Sequence, residues 1–249
     1  MCNYLFSFLF WTDNTAKNQY ICIMQELKKK VLAANLELVR QGLVIYTWGN
    51  ASGIDRDRGL VVIKPSGVSY DTMTEDDMVV LDLDGNIVDG HLKPSSDTPT
   101  HLALYKAFPQ IGGIVHTHSA YATAWAQAGR DIPCLGTTHA DAFRGPVPCT
   151  AALTEEQING EYEKETGKVI ISRFEGLDAV FTPGALVRNH GPFSWGATPA
   201  EAAYNAKVLE EIAKMAYLTL QINPSASCGQ ALEDKHFFRK HGPGATYGQ

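Results

Sequence analysis

The chain has 249 residues, 45% of them apolar, enough for one sizeable core, and no proline- or serine-rich linker, composition shift or internal repeat divides it. A formal net charge of −6 excludes the clustered positive footprint of a nucleic-acid binder and leaves an anionic small molecule only a local basic pocket. The apolar run from Tyr4 to Trp11 is too short to span a bilayer and follows no Lys or Arg, so neither a membrane anchor nor a signal peptide is expected.

Along the chain, residues 1–23 read as an extension outside the fold, and 24–249 as a single domain, because a helical pattern begins at Met24-Gln25-Glu26-Leu27. From Glu26 to Val39, Leu27, Val31, Ala34 and Leu38 recur at helical spacing, and Gly42 is a fitting C-cap. Leu60 to Ile63 is a β-branched run expected to be a strand, and Asp84-Gly85 between two short apolar runs predicts a hairpin. Thr98-Pro99 opens a helix with threonine at the N-cap, and Leu102, Tyr105 and Phe108 share one face. Gly112 to Thr117 predicts a strand, followed by a short helix from about Ser119 to Ala128. Thr154-x-x-Gln157 is a capping box for a helix running through Tyr162. Ala185 to Arg188 and Phe193 to Trp195 predict strands, and Thr198-Pro199-Ala200-Glu201 launches a long helix with Ala202, Leu209, Ile212 and Ala216 inward. Strands and helices mix without strict alternation, which predicts an α/β fold with a central, largely antiparallel sheet covered by helices.

Cys2, Cys22, Cys134, Cys149 and Cys228 are scattered, odd in number and lack a C-x-x-C pair, the usage of free thiols in a reducing compartment such as the cytoplasm.

The strongest local signal is His116-Thr117-His118 at the end of Gly112-Gly113-Ile114-Val115. On a strand, positions i and i+2 share a face, so both imidazoles would project side by side. Two exposed surface histidines fit the same pattern equally well. His190, before the backbone-permissive Gly191, could supply a third imidazole, and three with an open position describe a catalytic zinc site. His91 and His101 read as structural or solvated, and His139 stands close to Asp141. Two loops, Lys64-Pro65-Ser66-Gly67 and Pro94-Ser95-Ser96-Asp97, could hold a phosphate, although each also reads as an ordinary turn or cap.

From Met24 onward, Thr47-Trp48-Gly49-Asn50, Ile63 to Gly67, Pro94 to His101, His116 to His118 and Asn189 to Gly191 occur in an order that resembles the class II aldolase/epimerase superfamily. Gly136 to Asp141, Ile158 to Glu163, Asp234 to His236, Arg239 to Gly242 and Tyr247 to Gln249 are similar to its L-ribulose-5-phosphate 4-epimerase branch, which serves arabinose and ascorbate catabolism. The resemblance implies a three-layer α/β/α fold and one zinc ion per subunit on His116, His118 and His190, with Asp97 at or beside it. It implies substrate contacts from Gly49, Asn50, Lys64, Ser66, Gly67, Ser95, Ser96 and Glu163, and an acid/base pair in Asp141 and Tyr247. His236 and Arg239 would complete the pocket from the adjacent subunit of a homotetramer.

Members of that branch often carry His-x-His-Gly at the third ligand, where this chain has Arg188-Asn189-His190-Gly191. Two other activities of the superfamily compete. In its aldolases a glutamate usually stands at the place of Asp97 and the Gly136 to Asp141 block is absent, and its adducin-like scaffolds lack the histidines.

Overall fold

A computed structural model describes residues 14–242 and 244–246. In chain order it contains α1 (Asn14–Arg40), β1 (Asn50–Asp55), β2 (Leu60–Ile63), β3 (Val79–Asp82), β4 (Ile87–Asp89), α2 (Thr98–Ala107), β5 (Gly113–His116) and α3 (Ala120–Ala128). There follow α4 (Thr137–Ala140), α5 (Glu155–Asn159), α6 (Tyr162–Arg173), β6 (Gly184–Val187), β7 (Gly191–Gly196), α7 (Pro199–Ile222) and α8 (Gln230–Phe238). The seven strands form one sheet in the order β4-β3-β2-β1-β5-β7-β6, and every neighbouring pair is antiparallel.

Strand alternation divides the core between two helical layers. Ile114 on β5 joins Leu104 and Tyr105 of α2 and Ile170 of α6, while its neighbour Val115 joins Leu38 of α1 and Ala202 and Ala206 of α7. Helices therefore cover both faces of the sheet. Trp195, fully buried on β7, anchors the first layer, and its indole N–H donates to the Ala179 carbonyl at 2.7 Å. Burying a side chain of that size without orphaning its polar atom contributes about 3 kcal/mol.

Strand β1 is absent from the sequence reading, since Asn50-Ala51-Ser52-Gly53 has weak strand propensity. It nevertheless occupies the middle of the sheet, where small residues are required. A Cβ on Gly53 would come within 2.7 Å of Pro199 and 3.0 Å of Leu27 and Val31, so a larger residue would push α1 and α7 off the sheet. Helix α6 was hidden for a related reason: Gly167 interrupts its pattern, because Ala103 of α2 would lie 2.7 Å from a Cβ there.

Other boundaries move. Helix α1 begins at Asn14, upstream of Met24, and Tyr20 and Ile23 pack against the cluster formed by Met24, Leu60 and Val62. The capping box at Thr154 is formed, but Gly160 ends α5 and a second helix starts at Tyr162. Asp97 takes the N-cap position of α2 in place of Thr98. Among the described residues, Cys22, Cys134, Cys149 and Cys228 are free thiols, and no helix is long and apolar enough to cross a membrane.

Candidate active site

The sheet's antiparallel register gathers several loops at one end. Asn50 opens β1 opposite His116, which closes β5. Ile63 closes β2 one residue before Lys64, and His190 immediately precedes β7. All the loops singled out from sequence as ligand or phosphate carriers converge there.

His116, His118 and His190 offer ligand nitrogens that all lie within 4.8 Å of one another. The rings of His116 and His190 have centroids 4.7 Å apart, and those of His118 and His190 are 5.1 Å apart. His116 donates from Nδ1 to the Pro192 carbonyl at 3.0 Å, which fixes the tautomer and leaves the Nε2 lone pair free toward the cluster. The expectation that both residues of the His-x-His pair stand on the strand is corrected: β5 ends at His116, and His118 lies beyond it, exposed. It still turns back, with its Nε2 3.1 Å from that of His116.

Burial depresses the pKa of His116 to about 3 and lowers that of His190. That of His118, whose ring is partly shielded although the residue is exposed, is lowered for the same reason. The negative charge of Asp97 works the other way, and the neighbouring histidines add to the depression at His116 and His190. The three rings are therefore neutral donors at pH 7, as a divalent cation requires.

Asp97 falls outside the group of three, but its carboxylate is held beside it. Asn50 Nδ2 donates to Asp97 Oδ2 at 2.6 Å and to Ser95 Oγ at 3.0 Å. Burial raises the Asp97 pKa, yet the fields of His116, His101 and His190 and the Asn50 bond outweigh it and hold the carboxyl below its usual range.

The two candidate phosphate loops lie side by side. Ser66 N–H donates to the Lys93 carbonyl at 2.8 Å, and Ser95 N–H to the Lys64 carbonyl at 3.0 Å. Lys64 is 2% exposed, and burial lowers its pKa. Its ammonium donates to the Pro65 carbonyl at 3.2 Å and sits 4.8 Å from the centre of the Tyr70 ring. A buried cation with so few partners is a ready receptor for an anion. Gly49 closes the assembly at φ 75°, and a Cβ there would meet the His116 carbonyl at 2.9 Å. Ser66 and Gly67 are exposed, and Glu163 shares a cleft with Ser95 and Ser96.

Asp141 lies elsewhere. It accepts hydrogen bonds from His236 Nδ1 at 3.0 Å and from Arg239 at 3.1 Å to both oxygens, and Lys240 Nζ is 3.3 Å away. Burial opposes its ionisation, but the hydrogen bonds from His236, Lys240 and Arg239 and the charge of Lys240 outweigh it and hold the pKa below the usual carboxylate range. The cleft beside it is lined by Ile111, Gly196 and Ala197, at the start of β5 and the end of β7. The histidines occupy the opposite ends of those strands, and six residues of β7 at about 3.3 Å each put roughly 15–20 Å between the two groups. Tyr247 lies outside the described residues.

His101, expected to be structural or solvated, is fully buried, and burial pushes its pKa to about 4 against the pull of Asp97. Its Nδ1 bonds Ser52 Oγ at 2.7 Å, and Ser52 Oγ bonds Tyr105 Oη at 2.8 Å. Its position one helical turn after Asp97 was the sequence signal for this role. Tyr70, whose hydroxyl donates to the carbonyls of Trp48 and Gly49 at 3.1 and 2.9 Å, gave no comparable signal.

The family model for the Class II Aldolase and Adducin N-terminal domain matches residues 29–217. The chain belongs to this family. It is 60% identical over 227 residues, 91% of this chain and 100% of the relative, to the L-ribulose-5-phosphate 4-epimerase UlaF of Salmonella paratyphi C (strain RKS4594). The protein of the same name from Salmonella typhi is 59% identical over the same coverage. Among solved structures, an L-fuculose 1-phosphate aldolase superposes with a TM-score of 0.73 at 26% identity, covering 86% of this chain and 95% of that one. An aldolase II superfamily protein from Pseudomonas syringae gives the same TM-score at 17% identity over 92% and 91%, a likeness of fold alone. Three clustered histidines in a class II aldolase fold are a donor set that could hold a divalent metal ion.

Arg188, where the related epimerases often have histidine, is exposed and packs its guanidinium over Gly129.

Proposed function

We propose that the chain is an L-ribulose-5-phosphate 4-epimerase that interconverts L-ribulose 5-phosphate and D-xylulose 5-phosphate. The observation that carries the reading is the convergence, at one end of the sheet, of three neutral histidines with two backbone-linked anion loops around a buried lysine. Identity of 60% to relatives of that name supports the epimerase over other family activities. The proposed catalytic unit is residues 24–249.

In this substrate the carbonyl at C2 activates the hydrogens on C1 and C3, and C4 is too remote for simple proton exchange. Inversion at C4 therefore proceeds by breaking C3–C4, turning the released aldehyde over, and re-forming the bond on its other face. A zinc ion on His116, His118 and His190, with Asp97 beside it, would supply Lewis acidity for the charge that develops on the C2 and C3 oxygens. Lys64 and the amides and hydroxyls of Ser66, Gly67, Ser95 and Ser96 hold the phosphate, while Gly49, Asn50 and Glu163 frame the sugar. As C3–C4 breaks, a base takes the proton of the C4 hydroxyl, leaving glycolaldehyde phosphate and an enediolate. The same group or its counterpart returns a proton to the C4 oxygen once the bond re-forms. Asp141 and Tyr247 are assigned to these two steps, one on each side of the aldehyde.

Asp141 cannot reach the histidines of its own chain across the length of β7. The reading therefore requires a second copy, with Asp141, His236 and Arg239 of one subunit completing the site of the next, in a homotetramer. Exposed Ile45, Tyr46 and Trp48 beside the histidine end supply apolar surface for such a contact. The free cysteines are in keeping with a cytoplasmic enzyme.

The test is an assay of purified protein with L-ribulose 5-phosphate, following D-xylulose 5-phosphate. Conversion that stops with a chelator and returns with zinc is expected. Accumulation of glycolaldehyde phosphate as the main product would move the assignment to an aldolase.

A further inference from the structure

His118 stands outside β5, yet its ring is aligned with two others, so something beyond the strand must hold it. Two residues on, α3 begins with Ser119 at the N-cap, but the Ser119 side chain makes no capping hydrogen bond. The first-turn amides of Tyr121 and Ala122 have no acceptor within their own helix. Both donate instead to Glu210 of α7, to Oε1 and Oε2, each at 2.9 Å.

Glu210 is only 9% exposed and meets these amides across 88 and 89 positions of sequence. A buried carboxylate is costly unless charge-assisted bonds satisfy it, and here two do so at the positive end of a helix. Trp125 adds a second tie from α3 to α7, its indole N–H donating to the Ala213 carbonyl at 3.0 Å. Helix α7 lies along β5 and β7, so α3 is fixed to the same frame that carries His116 and His190.

We infer that Glu210 is a positioning residue for the metal centre: by fixing the start of α3 it sets the His118 imidazole against His116 and His190. The inference rests on the zinc site proposed above and concerns a residue that never touches the ion.

The fold supplies its own control. Glu233 is also 9% exposed and accepts a distant backbone N–H, that of Gly145 at 2.8 Å, but on the Asp141 side of the molecule. Glu210→Gln keeps the side chain's size, removes its charge and turns an NH₂ group toward one of the two amides. Zinc affinity of the full chain, measured by competition with a chromogenic chelator, is expected to fall roughly 10–100-fold in Glu210→Gln, the usual scale for groups that orient a ligand. Glu233→Gln is expected to leave zinc affinity unchanged, while both variants lower Tm. Glu210→Asp, which keeps the charge on a shorter arm, should show a smaller loss, and it is the deciding variant if the glutamine form does not fold. Zinc affinity equal to wild type in the Glu210 variant, or an equal loss in Glu233→Gln, would overturn the inference while leaving the proposed activity intact. A wild-type protein that binds no zinc would overturn both.

Discussion

At one end of β5 and β7, three imidazoles face one another with their charges suppressed by burial. At the other end, Asp141 is held ionised by His236, Arg239 and Lys240. The first arrangement offers neutral lone pairs to a cation. The second offers a carboxylate whose protonation is set by charged neighbours. The contrast teaches that one chain carries two chemically different groups, proposed above as the halves of a catalytic apparatus, at opposite ends of the same strands. Under the reading proposed here, the halves meet only between subunits.

Substitutions at the two ends should therefore fail differently. His116→Asn is expected to abolish metal uptake and lower kcat by roughly 10³-fold or more, since Lewis-acid stabilisation is worth several kcal/mol. Elemental analysis and steady-state kinetics measure both. Asp141→Asn should keep full metal content while kcat falls by about 10²–10⁴-fold, the scale of a lost acid/base group. Metal loss in Asp141→Asn would erase the distinction between the two ends.

Lys64→Met sharpens the histidine end further. Removing the buried ammonium should raise KM for the sugar phosphate roughly 10–100-fold, the worth of a hydrogen bond to a charged group, with metal content unchanged. An unchanged KM would remove Lys64 from the phosphate site.

The remaining expected effect is on stability. Burial pushes the pKa of His139 to about 4, although its bond to the Gly145 carbonyl pulls it upward. The unfolded chain has an ordinary value near ~6.5. The unfolded state therefore binds more protons between these values, so stability is full above about pH 6.5 and is lost as pH falls toward 4. The loss is about 3 kcal/mol for this residue. Denaturant titrations of wild type and His139→Asn across that range should show a shallower pH dependence in the variant.

How much of this could be read from sequence differs between the two ends. The histidine end was legible because its residues sit in short motifs with glycine or proline nearby, and three-dimensional closeness follows once the strands pair. Strand β1 was not legible, because Gly53 and Ser52 are chosen for what packs over them and not for strand propensity. Gly167 hid α6 in the same way. The position of His118 beyond β5 was also invisible, since the helix that follows it is tied at its start to Glu210, 88 and 89 positions away in sequence. At the other end, the motifs named Asp141, His236 and Arg239 separately, and only the packing of α8 against α4 brings them together.

Subunit complementation tests the shared site most directly. His116→Asn and Asp141→Asn proteins, each nearly inactive alone, are mixed, exchanged under mild denaturant and assayed with L-ribulose 5-phosphate in the presence of zinc. If each site takes its histidines from one chain and its Asp141 from another, random mixing restores up to about a quarter of wild-type activity. Activity no higher than that of the two separate variants, in a mixture shown to have exchanged subunits, would contradict a site built from two chains.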